Sequence, residues 1–414
     1  MTDQQLSGPR PRDLQRPVPG PQSTPESGPP HLPPHPHPHR AAVQELRLGA
    51  FKSHLGGVLP LAPITMLHGP CGAGKSNALD ALAALSGLAG GEELAQALSG
   101  VRGGLAGCAP GGRSGFRLGC SVGTPQGTVR LEVAVRTDGR PRIAAERLAL
   151  GGLVLLSTGE EARGRIDAAW HSDGRQGDIH APLSSDSLLS AQLPLRVAGA
   201  TPGERRVLAA VEHLLTALRE LFVIDPVPGL MRGWVPAADD ARLRGSAENL
   251  AAVIARIQSE CRIRYGHLVR VLRAGSAHPV AGLGVLREGS GEARRVITAV
   301  DEGDGRWTSA ELLSTGTLRR LAFATVLLTG PGVLQMHSAA EVPDAERLLT
   351  VLAEDLDPEL SAGLLPLAEQ VVARGHVRLL ATGPAPARQP GVLDVHCGRD
   401  PATGASVLAP AAAG

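Results

Sequence analysis

The sequence predicts an α/β fold: a parallel sheet with a glycine-rich loop at its centre, a mixed or antiparallel β lobe beside it, and a short helical insert. Three observations lead there. The stretch Gly69-Pro70-Cys71-Gly72-Ala73-Gly74-Lys75-Ser76 fits the pattern G-x-x-x-x-G-K-[ST] without a mismatch. A short apolar run over residues 63–68 precedes it, and apolar residues at helical spacing follow from Ser76 to Leu85. Toward the C-terminus, apolar runs alternate with helical patterns, which is how a chain builds parallel strands.

The loop is the setting of a P-loop nucleotide triphosphatase. Glycines let successive backbone N–H groups turn inward on phosphate oxygens, a concavity that side chains would obstruct. Lys75 supplies a compact ammonium for the β- and γ-phosphates. The Ser76 hydroxyl is suited to ligate Mg²⁺, and the helix that begins here, through Asn77, adds its positive dipole end. The expected ligand is therefore ATP with Mg²⁺. The chain has only two lysines, Lys52 and Lys75, so a lysine at this position is selective: arginine stands almost everywhere else.

Composition narrows the classes. A chain of 414 residues with 43% hydrophobic and 20% charged content reads as globular, and a formal net charge of +1 advertises no global field for nucleic acid or membrane. Four Phe, three Trp and one Tyr argue against a base-stacking groove. The cysteines Cys71, Cys108, Cys120, Cys261 and Cys397 are scattered without a C-x-x-C pair, against a zinc site or disulfide framework. Cys71 is read as a tolerated variable position of the loop. No leader and no membrane span is read from the sequence, so the cytoplasm is the expected location.

Along the chain, residues 1–41 form a Pro/His-rich tail expected to be disordered, with His31, His35, His37 and His39 alternating with prolines. Residues 42–414 are expected to form a single split domain: a first lobe with the loop over 42–150, a β and helical insert over 151–310, and a second lobe over 311–414. Alternating segments at 116–122, 128–135, 142–150 and 164–170 predict an antiparallel β block. Helical spacing predicts helices over 204–221 and 246–272, separated by Asp225-Pro226. They are too short for a long coiled-coil arm. In the second lobe a helix over 321–328 leads to an expected buried strand over 332–336, helices around 345–356 and 359–372, and a strand over 377–381.

A second motif precedes the 321–328 helix: Leu313-Ser314-Thr315-Gly316-Thr317-Leu318-Arg319. With the intact loop, and with Phe51-Lys52-Ser53, Asp225-Pro226, Arg232 and the segment Ala247-Glu248-Asn249-Leu250-Ala251-Ala252-Val253, the chain resembles the ABC-type ATPase heads, specifically the AAA-type core ATPases related to RecF, SMC and OLD-nuclease proteins. The resemblance covers residues 42–385. It implies a homodimer in which the loop of one copy and Ser314, Gly316 and Thr317 of the other trap ATP between them, with Lys52 near the nucleotide. It also implies service in a bacterial DNA-repair, genome-defence or regulatory complex, with DNA or an effector such as a nuclease as partner and no membrane.

Two departures from the family bear on turnover. The family's strand after the signature helix ends in Asp-Glu, which hold Mg²⁺ and polarise the attacking water. At the aligned positions Val333-Leu334-Gln335-Met336 runs into His337-Ser338, so both carboxylates are missing. Glu341 and His337 are the replacements nearby. Where the family has Thr-His-Ser, this chain has Thr382-Gly383-Pro384. ATP binding with slow hydrolysis is the expectation; a pseudo-ATPase interaction module is the alternative and a transporter ATP-binding subunit ranks below it. Gln126 stands as the glutamine after the first lobe by position only.

Overall fold

A computed structural model describes residues 40–411 apart from 176 and 304. Residues 1–39 of the tail, with His31, His35, His37 and His39, lie outside the described residues, while Ala41, expected in the tail, is buried in the core. Those described pack as one compact unit.

The central sheet has the order β10 (Leu221–Ile224), β15 (Leu349–Ala353), β16 (Val377–Gly383), β3 (Ile64–His68), β17 (Leu393–Arg399) and β18 (Ser406–Pro410). Neighbours from β10 to β17 are parallel and β18 returns antiparallel. Every residue of β15 and β16 is buried, as continuous apolar runs covered on both faces require. Leu67, Leu352, Leu380, Val395 and Cys397 enter one core; Ile64, Met66, Leu349, Val351, Leu379 and Ala381 enter the other.

The first core is closed by α1 (Lys75–Ala89), α5 (Pro202–Arg219) and an antiparallel sheet ordered β2 (Gly57–Pro60), β1 (Ala42–Ala50), β4 (Gly115–Thr124), β5 (Gly127–Arg136), β6 (Arg142–Leu150), β7 (Leu153–Ala162), β8 (Arg165–Trp170), β9 (Ile179–Ser184). Short helices α2 (Leu94–Ala97), α3 (Gly104–Cys108) and α4 (Leu189–Gln192) fill its connections. Arg378 of β16, fully buried, donates to Val43 O and Leu61 O at 2.5 Å each and so ties the two sheets together. Burial without a carboxylate partner pushes its pKa down to about 10.

The second core holds α6 (Pro228–Met231), α7 (Leu250–Glu260), α8 (Arg262–Ala274), α9 (Thr315–Leu328) and α10 (Pro358–Val372). It also holds a small sheet in which β13 (Arg295–Gly303) pairs with β11 (Val235–Pro236), β12 (Gly282–Glu288) and β14 (Arg306–Ser309). Cys261 breaks the helix expected over 246–272 into α7 and α8. No helix among the described residues is long and apolar enough to cross a membrane.

Two expectations are overturned. Residues 332–336 are not a strand: Pro331–Val333 is a single 3-10 turn, and Leu334 makes only an isolated bridge to Leu243. The strand after α9 is β15, inside the segment expected to be helical over 345–356. Gly330-Pro331-Gly332 stops the chain from continuing in a regular element, while Leu349-Thr350-Val351-Leu352-Ala353 has an apolar run that periodicity alone reads either way. Pairing on both sides, with β10 and β16, decides for strand.

Candidate functional site

The loop from Gly69 to Gly74 leaves the C-terminal end of β3 and enters α1. Gly69 has φ 149°, and a Cβ there would stand 2.0 Å from Cys397 O. Gly74 has φ 108°, and a Cβ would stand 2.2 Å from Ser406 Oγ. Both glycines are therefore demanded by backbone angle and by the hairpin β17–β18 behind them.

That hairpin and the segment after β1 hold the loop by its carbonyls. Ser406 Oγ donates to Ala73 O at 2.6 Å, Cys397 Sγ to the same oxygen at 3.3 Å, and Arg399 Nε to Gly72 O at 2.9 Å. Buried His54 donates through Nε2 to Gly74 O at 2.9 Å; burial lowers its pKa, so it is a neutral donor with the proton on Nε2. Ser53 Oγ accepts from Asn77 Nδ2 at 2.8 Å and meets Ser406 Oγ at 2.7 Å. With carbonyls engaged behind, Gly74 as N-cap supplies no side-chain acceptor, so the first-turn N–H groups of α1 stay open to an anion. Lys75 Nζ folds back onto Gly69 O at 2.7 Å and Pro70 O at 3.0 Å.

Next to the loop is a chain of charges. Lys52, in a left-handed conformation with φ 51°, bonds Asp80 Oδ2 at 2.6 Å, one turn beyond Ser76 on α1, and Arg102 O at 2.7 Å. Lys52 thus approaches the site through Asp80. Arg102, from the glycine-rich passage before α3, reaches Asp80 Oδ1 at 3.3 Å, Ser76 O at 3.1 Å and Glu354 Oε1 at 2.6 Å. Partial burial works to lower the Arg102 pKa, but its bonds to Glu354 and Asp80 outweigh that and hold it above the ordinary value. Asp225, just past β10, is raised first by burial and then by the charge of Glu354.

Glu354 corrects the reading of missing carboxylates. It follows directly on β15, so the strand after α9 runs into Glu354-Asp355 and does carry carboxylates at its end. The apolar run 349–353 followed by two acids was the signal for it; a single arginine inside a glycine-rich passage gave none for Arg102. Glu341 and His337 lie at the other edge of the sheet. Glu341 binds Arg219, the last residue of α5 before β10 begins, through both guanidinium nitrogens. Burial works to raise its carboxyl, but the Arg219 bonds hold it below the usual value. His337 Nε2 stands 3.2 Å from Glu92 Oε1, beside Gly90, the C-cap of α1. A helix of 15 residues puts that end about 22 Å from the loop. Neither side chain is placed to act on a ligand held there.

The second motif caps α9. Ser314 Oγ accepts from Thr317 N at 3.1 Å and pairs with Thr317 Oγ1 at 2.9 Å, while Ser314 and Gly316 are exposed. Arg232 Nη2 donates to Leu313 O at 3.0 Å, and Arg319 Nη2 to Asp355 O at 2.6 Å, fixing this helix start against the end of β15. Leu312 beside it is 80% exposed. Thr382 Oγ1 accepts from Asp355 N, in the turn after β15, at 2.9 Å. A Cβ at Gly383 would meet Leu356 O at 2.5 Å, so no side chain fits there. Gln126 is exposed in the turn between β4 and β5.

No protein-family model matches the chain, and no curated protein matches it. Among solved structures, an SMC head bound to the C-terminal winged-helix domain of ScpA superposes with a TM-score of 0.49 at 12% identity, covering 89% of this chain and 98% of that one. The SMC head domain from Thermotoga maritima does so with a TM-score of 0.41 at 13% identity, covering 90% and 100%. The recombination mediator RecF with ATP gives a TM-score of 0.36 at 10% identity, covering 86% and 97%. The fold of this chain stands on its own strand order and on the loop between β3 and α1.

Proposed function

We propose that this chain is an ABC-type ATPase head that binds Mg·ATP and pairs with a second copy around it. The observation that carries the reading is the convergence of the Gly69–Ser76 loop, Arg102 and Glu354 at the C-terminal ends of parallel strands, where open α/β sheets receive ligands. Loop N–H groups and Lys75 take the phosphates. The Ser76 hydroxyl would help hold a Mg²⁺ that arrives with the nucleotide, and Ala353 would add no carboxylate to it. Mg²⁺ would supply charge neutralisation between phosphates.

Glu354 is the group to orient an attacking water, and in this structure it is tied to Arg102. Release of Arg102 toward the incoming phosphates would free it. The exposed start of α9, with Ser314, Gly316 and Thr317, is suited to close on the nucleotide of a second copy. A partner protein or DNA would respond to that pairing in a repair, defence or regulatory setting. The proposed arrangement of the chain is a tail over 1–41 and one split domain beyond it, working in the cytoplasm.

The test is ATP binding, turnover and particle size together. Lys75→Ala is expected to lose most ATP affinity. Glu354→Gln is expected to keep binding, lower turnover by about 10²-fold and accumulate the dimer. A wild-type chain that binds ATP without turnover, with Glu354→Gln no different, would establish the pseudo-ATPase reading, which Ala353 and Gly383 favour. ATP affinity unchanged by Lys75→Ala would sink both.

A further inference from the structure

The end of β3 carries a second set of groups that the phosphate loop does not use. His68 is the last residue before Gly69, and in register beside it on β17 is His396. Registered neighbours point to the same face of a sheet. The two imidazole rings stand 5.2 Å apart between centroids, tilted at 52°. His68 is partly buried and His396 exposed. Among the described residues, no protein hydrogen bond is made by either ring.

The charges that act on His68 come from α1, from β17 and from the loop before it. Lys75 faces His68 from α1, Asp394 and His396 from β17, and Arg388 from the loop that precedes β17. The carboxylate of Asp394 is occupied: it accepts from Ala387 N at 2.8 Å and Arg388 N at 2.9 Å, which pins that loop over the sheet end. Lys75 and Arg388 therefore act against a charged His68, and the Asp394 carboxylate that favours it is already bonded to backbone. Burial, acting ahead of the neighbouring charges, lowers the His68 pKa below 6.5, so the ring is neutral near pH 7 in the free chain.

We propose that His68 and His396 are additional anion contacts of the phosphate-loop site, and that His68 gains a proton when the polyphosphate of a nucleoside triphosphate binds. The inference rests on the reading that residues 69–76 hold those phosphates. An anion beside the rings favours their charged form, so binding and protonation help each other. Affinity is then weakest where the His68 ring is neutral and strengthens as pH falls toward 6.

The experiment is titration calorimetry of the full chain with Mg·ATP from pH 6 to 8.5, in two buffers of different ionisation heat, for wild type, His68→Gln and His396→Gln. Wild type is expected to take up close to one proton and to bind about fivefold more tightly at pH 6 than at pH 8. Each variant is expected to lose the gain in affinity between pH 8 and pH 6 and to take up less proton than wild type. His396 is exposed, so its variant tests the pair without disturbing the core; circular dichroism checks the fold of both. Equal proton uptake in wild type and both variants would overturn the inference while leaving the phosphate loop intact. Failure of wild type to bind ATP at any pH, or binding that Lys75→Ala leaves unchanged, would remove the underlying reading and the inference with it.

Discussion

Lys52 and Asp80 form a nearly buried ion pair, with side chains 9% and 11% exposed, so each depends on the other. Asp80→Ala would leave the ammonium facing only the carbonyl of Arg102 and is expected to cost about 3 kcal/mol, read as a lower midpoint in urea. Lys52 was expected at the nucleotide because of its place after the first strand; it contributes by holding the aspartate that steadies Arg102. Glu146 shows the opposite balance. Burial raises its carboxyl to about 7 even though Ser190 N and Leu189 N both donate to it at 2.7 Å. A folded-state value above the unfolded one means stability that is full below pH 4.5 and declines as pH rises through 7. Wild type is expected to unfold more readily at pH 8 than at pH 5, and Glu146→Gln to show less of that slope. Cysteine chemistry separates in the same way: burial pushes Cys108 up to about 11 and Cys120 to about 12, whereas Cys71 is exposed in the loop. Alkylation is expected to strike Cys71 ahead of these two, and ATP to protect it, as peptide mapping would show.

Among the elements, α9 and α5 show how local chemistry sets a helix start. Thr201 and Glu204 make a complete capping box at α5, and Ser314 caps α9 by accepting from Thr317 N. Thr201→Ala is expected to lower stability by about 1 kcal/mol in urea unfolding, with ATP binding unchanged. The exposed cap of α9 is different, because the same residues would meet a second copy. Ser314→Ala is expected to cost a similar amount in stability and, in addition, to weaken ATP-dependent pairing seen by light scattering. A loss of stability alone would confine Ser314 to capping.

For the whole molecule, the two cores share one parallel sheet, and that sheet places every proposed ligand contact at its C-terminal edge. Arg378, joined to Val43 O and Leu61 O, couples that sheet to the antiparallel one. Nucleotide binding to the folded chain alone would raise its melting temperature, with the rise growing with ATP concentration and absent in Lys75→Ala.

The loop and the helix behind it were legible in the sequence because their requirements are local: glycine where φ is positive, a lysine at fixed spacing, an apolar strand before and an apolar helix after. The same holds for β5 and β8, whose alternation is a property of one strand and one solvated face. Glu354 was not found, because residues 349–353 suit a helix or a strand until β10 and β16 close on both sides. Glu341 and His337, close to the signature helix in sequence, were carried to the far edge of the sheet. Arg102 meets Glu354 across 252 residues of chain. Local patterns could name the phosphate loop; only packing, which brings distant strands and loops to one edge, could decide which carboxylate and which cation stand beside it.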